Sequence, residues 1–138
     1  MRVALSVLAL ILAGASCGDS GPTTPTAIAP GQPFDLQVGT SAATADGALR
    51  IRFERVVADS RCPSDVTCVW AGEAVIELSL WIGGSDAETV QLHSAGNPPN
   101  QVTRAGYGIR LTAVAPYPRS TVRLKPSDYR ITLLASRE

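Results

Sequence analysis

The chain is short of the residues that most chemistry needs: it has one histidine, three cysteines, few aromatics and no net charge. Each shortage removes a class of function. The 12 basic and 12 acidic residues are scattered rather than blocked, so no basic face stands ready to neutralise nucleic-acid phosphates. A lone histidine, His93, leaves little for acid–base catalysis. Residues 34–138 hold no G-x-S-x-G nucleophile elbow, and no glycine-rich phosphate loop of the nucleotide-binding types occurs. No apolar set recurs at three-to-four spacing over a helix's length. Apolar residues still make up 45 % of the chain, enough to build a core and to argue against disorder. The length of 138 residues suits one modest domain.

What is present begins at the N-terminus. In MRVALSVLALILAGASC a basic Arg2 precedes an uncharged apolar run from Val3 to Ala15. That run is too short for a permanent bilayer span and has the length of a signal-peptide hydrophobic region. Its end, Gly14-Ala15-Ser16-Cys17, resembles the bacterial lipobox, with Gly14 where a branched residue is usual and Leu12 further upstream. The resemblance implies a signal peptide over residues 1–16 and acylation of Cys17, which becomes the new N-terminus. Stable anchoring needs more than one acyl chain, and a mature bacterial lipoprotein carries several on this cysteine. Gly18 stands where an aspartate would retain the protein at the inner membrane, which points to the outer membrane, facing the periplasm or the surface. Removing Cys17 to lipid leaves Cys62 and Cys68. An even number of cysteines in an oxidising compartment predicts one disulfide.

From Gly18 the sequence GDSGPTTPTAIAPGQP carries prolines 22, 25, 30 and 33. These deny it helix or central-strand structure, and residues 17–33 are read as an acylated cysteine on an extended tether. Residues 34–138 are then the folded domain. ALRIRFE sets Leu49, Ile51 and Phe53 on one face and charges on the other, the two-residue period of a half-buried strand. AVIELSLWI and ETVQLH alternate in the same way around the turn composition GGSDA, which predicts a hairpin. FDLQVG, YGIRLTAV and DYRITLLA give further strands, and DVTCVW a short one. About seven short strands with frequent turns predict an all-β fold, an antiparallel β-sandwich of immunoglobulin or fibronectin type, with a small β-barrel as the alternative. LKPSDYRITL resembles the late strand of such sandwiches, where a tyrosine, here Tyr129, closes a corner by bonding to backbone. Two longer connections, SAGNPPNQVTRAG and APYPRSTVRLKPS, are places where function can sit.

The segment DSRCPSDVTCVWAGEA, residues 59 to 74, concentrates the remaining signal. A Cys62–Cys68 bond closes a ring of seven residues, worth about 2–2.5 kcal/mol of chain entropy. Pro63 and the Ser64-Asp65 pair favour a turn inside it. Five intervening residues do not match a redox C-x-x-C pair, and Cys62, Cys68 and His93 are one ligand short of a structural zinc site. Trp70 and Trp81 either present a binding face or pack in the core. Together with GYGIRLTAVAPYP and KPSDYRITL, the segment resembles a group of small exported bacterial proteins sharing R-C-P and C-x-W-x-G elements. Here the matching positions are Arg61, Cys62, Pro63, Cys68, Trp70 and Gly72. The resemblance implies a compact extracytoplasmic β domain and supplies no catalytic residue.

The sequence therefore predicts a non-catalytic lipoprotein without metal or cofactor. It is held to the membrane through Cys17 and acts by structural or binding contact, with an envelope protein as a possible partner. The candidate contact residues are Arg61, Asp65, Trp70 and Tyr117, with Arg61 and Asp65 expected to be exposed. The competing expectation is a small-ligand or divalent-metal module, or a cryptic hydrolase, built on Asp59, Asp65, Glu73 and His93.

Overall fold

A computed structural model describes residues 24–95 and 100–138. The signal segment, Cys17 and the first part of the tether lie outside the described residues, as does the Gly-Asn-Pro-Pro stretch of the 94–106 connection. Nine strands are present among the described residues: β1 (Thr26–Ile28), β2 (Pro33–Gln37), β3 (Ser41–Thr44), β4 (Leu49–Asp59), β5 (Ala74–Ile82), β6 (Glu88–His93), β7 (Gln101–Arg104), β8 (Tyr107–Ala115) and β9 (Arg130–Arg137). A single 3-10 turn over Pro126–Asp128 precedes β9.

The strands form two sheets, β1-β3-β4-β5-β6 and β2-β9-β8-β7. The predicted β-sandwich is thus observed, and the expected β5–β6 hairpin pairs Val75 with His93 through Leu80 with Glu88. Its strand order is that of two meanders, β3 to β6 and β7 to β9, where a constant-type immunoglobulin domain interleaves its sheets as ABED and CFG. Alternation decides which side chains meet between the layers. Leu49, Ile51 and Phe53 of β4 face Ile131 and Leu133 of β9 in one core cluster, each fully buried. At about 25 cal/mol per Å² of apolar area, this burial is the main force holding the layers together.

Three strands depart from the sequence expectation. β1 lies inside the stretch read as tether. It pairs in parallel with β3, Thr26 opposite Ala42 and Ile28 opposite Thr44, and Ile28 is buried. Prolines flank this edge strand instead of interrupting it, which a sheet edge tolerates, so the folded unit begins before Phe34. β3 and β7 are four residues each, too short to show a period. DVTCVW, by contrast, forms no strand: the Cys62–Cys68 ring bends the chain where a strand would have to run straight.

Registry places the connections. β4 ends at Asp59 opposite Ala74, β8 ends at Ala115 opposite Arg130, and β6 ends at His93 opposite Val75. The loops 60–73 and 116–129, with residues 94, 95 and 100 of the third connection, therefore share one end of the sandwich. Irregular pairing between Phe53 and Arg55, and again between Val56 and Ala58, interrupts the β4–β5 ladder next to that end.

Candidate functional site: the stapled end

The disulfide Cys62–Cys68 is formed, with its Cα atoms 5.9 Å apart. Such a bond belongs to an oxidising, extracytoplasmic setting. Around the ring the chain continues a loose ladder past the ends of β4 and β5. Ser60 N donates to Glu73 O at 2.8 Å and Cys62 N to Ala71 O at 2.8 Å. Glu73 N in turn donates to Ser60 Oγ at 3.1 Å. Inside the ring Val66 N closes a turn on Pro63 O at 3.3 Å.

Arg61 is the one buried charged residue of the described chain, 8 % exposed. This corrects the expectation of an exposed loop residue. Its Nε and Nη2 grip Asp59 Oδ1 and Oδ2 at 2.8 and 2.7 Å in a two-pronged ion pair. Nη1 donates to Val114 O at 2.6 Å and Nη2 also to Pro116 O at 2.9 Å. The guanidinium lies 5.2 Å from the centre of the Tyr117 ring. One side chain thus ties the end of β4 to the end of β8, across the two sheets.

Tyr129 completes the arrangement, its hydroxyl donating to Asp59 Oδ2 at 3.0 Å. The expected tyrosine corner therefore closes on a carboxylate, not on backbone, because Asp59 projects across the sandwich end to meet it. Burial alone would raise the Asp59 carboxyl, but the Arg61 hydrogen bonds and charge, with the Tyr129 hydroxyl, hold it below the usual range. Burial and the bond to Asp59 push the Tyr129 phenol up.

A depressed carboxyl stabilises the fold above the unfolded aspartate pKa of about 3.9, and that contribution disappears as pH falls through the lower folded value. Wild-type protein is accordingly expected to lose melting temperature below about pH 4 more steeply than Asp59→Asn. Melting curves from pH 6 to pH 2 check this; parallel profiles would refute it.

Asp65 is exposed and occupied. Its Oδ1 accepts from Ser120 N at 2.8 Å and its Oδ2 from Ser120 Oγ at 2.6 Å. These two bonds keep its carboxyl below the ordinary range. Ser64 N donates to Pro118 O at 3.0 Å. The stapled ring is thus docked on the 116–123 loop at several points.

The remaining carboxylates of the ligand or hydrolase expectation do not converge. Glu73 Oε2 lies 3.1 Å from His93 Nδ1, off hydrogen-bonding geometry, while Asp59 faces Arg61 and Asp65 faces Ser120. Among the described residues no three histidine, cysteine, aspartate or glutamate side chains are grouped to hold a metal.

The apolar residues here do the opposite of those in the core. Six large hydrophobic residues are exposed among the described residues, and five of them, Val66, Val69, Trp70, Tyr117 and Val122, lie on these two loops. Trp70 is 83 % exposed and Val69 90 %. The cause is local. Cys68 is tied back to Cys62, and Ala71 O is bound by Cys62 N, so residues 69 and 70 form the tip between two fixed points. The tryptophan that packs on a disulfide in immunoglobulin domains has no counterpart in Trp70. Trp81 instead sits on the outer face of β5 with the Arg50 guanidinium 4.8 Å from its ring centre.

No protein-family model, curated protein or solved structure matches this chain. The local geometry defines the class: a disulfide-stapled β-sandwich with one apolar, outward-facing end.

Proposed function

We propose that this protein is a non-catalytic, lipid-anchored extracytoplasmic module that works by contact through its stapled end. The observation that carries the reading is the concentration of exposed apolar side chains on two loops that are otherwise tightly fixed. Isolated exposed hydrophobics are ordinary, but five gathered on two loops that are bonded to each other favour an interaction surface. The group includes a tryptophan and a tyrosine, residue types that dominate contact energetics. The disulfide, Arg61 and Asp65 hold it in place before contact, so little ordering entropy is lost on binding. In this reading Trp70 and Tyr117 touch the partner, whereas Arg61 and Asp65 set the loops. The lipobox-like Gly14–Cys17 segment supports the anchor, and the R-C-P and C-x-W-x-G likeness supports an exported domain.

Crosslinking in whole cells of an exporting bacterium tests the proposal. Wild type is expected in the membrane fraction with a crosslinked adduct. Trp70→Ala should stay in that fraction, melt within about 2 °C of wild type because a far-exposed side chain contributes little packing, and lose the adduct. Cys17→Ala should leave the membrane fraction. An undiminished adduct with Trp70→Ala would sink the contact surface. Equal sedimentation of Cys17→Ala and wild type would sink the anchor.

A further inference from the structure

We infer that the surface met by the stapled end is the bilayer itself, an anionic lipid headgroup layer into which Trp70 and Val69 insert. The inference deepens the contact reading above and rests on its anchor at Cys17.

Direction of the chain is the first observation. β1 runs parallel to β3, and Ala42 of β3 lies opposite Ile51 of β4. Followed backward from Thr26, the chain therefore points along the sheet toward Asp59 and the stapled ring. Pro25 lines one open groove with Gly39, Thr40 and Arg52, level with the first half of β4. From Arg52 to Asp59 is seven residues, a rise of about 23 Å in an extended strand. From Pro25 back to Cys17 is eight residues, which reach at most about 29 Å. An acylated Cys17 thus brings the bilayer within reach of the stapled end without reversing the chain.

Chemistry of the end is the second. Arg119, Arg123 and Lys125 are exposed on the loop that holds Tyr117 and Val122, and none forms an ion pair among the described residues. The carboxylates at this end are mostly engaged: Asp59 with Arg61, Asp65 with Ser120, Asp128 with Lys125 N, and Glu73 beside His93. Tryptophan and tyrosine favour the headgroup level of a bilayer, and nearby cations favour anionic lipid. The opposite end, with turns at 29–32, 45–48, 83–87 and 105–106, carries none of the exposed large hydrophobics. A protein partner would fit the apolar tip, but it would explain neither the exposed cations of the 116–129 loop nor the direction of the chain.

Protein purified from an exporting host tests this, with Trp81→Phe leaving Trp70 as the only tryptophan, reconstituted into brominated vesicles of phosphatidylcholine with or without phosphatidylglycerol. In vesicles containing phosphatidylglycerol, Trp70 emission is expected to shift to the blue and to be quenched about twofold or more. Quenching should weaken in pure phosphatidylcholine and in the Arg119→Glu, Arg123→Glu variant. Vesicle-bound protein whose Trp70 stays unquenched and open to acrylamide would overturn bilayer docking while leaving the anchor intact. Unquenched Trp70 that captures an envelope protein through a photocrosslinker would overturn it in favour of a protein partner. Protein that does not stay on vesicles at all would overturn the anchor, and this inference with it.

Discussion

Gly72→Ala is expected to cost about 3–5 kcal/mol, the range of the most damaging single substitutions. Gly72 has φ +65°, a conformation that already strains any residue with a Cβ. The larger part of the cost is steric. A Cβ built there would stand 1.7 Å from Ser60 O and 2.5 Å from Ser60 C, both backbone atoms. Neither segment can step aside, because Ser60 and Cys62 are bonded to Glu73 and Ala71 across the same gap. Gly47 provides the comparison: its φ is +69°, but nothing lies within 4 Å of the added carbon. Gly47→Ala should therefore lose only about 1 kcal/mol. Thermal melts of the two variants check the contrast, with a fall on the order of 10–15 °C for Gly72→Ala. Equal melting temperatures would show that the close approach at Gly72 does not exist.

Arg61→Ala is expected to be nearly as damaging, at about 3–5 kcal/mol, for an electrostatic reason. Its removal leaves Asp59 at a mostly buried position with only the Tyr129 hydroxyl and the residue 61 backbone N–H. It also strips two carbonyls, Val114 O and Pro116 O, of their donor. Arg61→Lys should rescue little, since an ammonium cannot grip both carboxylate oxygens and reach both carbonyls. Removing the charge on both sides should cost less than removing one. The Arg61→Met, Asp59→Asn pair is expected to be more stable than Arg61→Met alone, because no unpaired charge remains buried. Denaturant titration of the single and double variants measures this coupling. A strictly additive result would mean that Asp59 and Arg61 do not depend on each other.

These two residues also show where sequence reading reaches its limit. The period-two runs made β4, β5, β6, β8 and β9 legible, because alternation records which face is buried. The disulfide followed from cysteine number and compartment alone. β1, β3 and β7 stayed hidden: three or four residues cannot show a period, and the prolines around Thr26–Ile28 suggested a tether. Arg61 departs from its sequence expectation for a different reason. An arginine in a polar loop is exposed by default, and its burial depends on carbonyls of residues 114 and 116, more than fifty positions away. Asp59, weighed as a ligand carboxylate, is instead the counter-ion of its neighbour two residues on. Gly72 stood out as part of C-x-W-x-G, but the reason, contact with Ser60, exists only once the chain has folded back. The sequence allows Trp70 in the core or on the surface, and the structure puts it outside. A sequence signal for that was present in the ring itself, since a chain pinned at Cys68 and turning at Gly72 leaves no strand to carry Trp70 inward.

The proposed contact separates the residues that hold the stapled end from those that would touch a partner. A photoreactive amino acid placed at position 70, with a control at position 86 in the opposite turn, measures that division in living cells. An adduct with envelope material is expected from position 70 and none from position 86. Absence of any adduct at 70, or the same adduct from both positions, would contradict it.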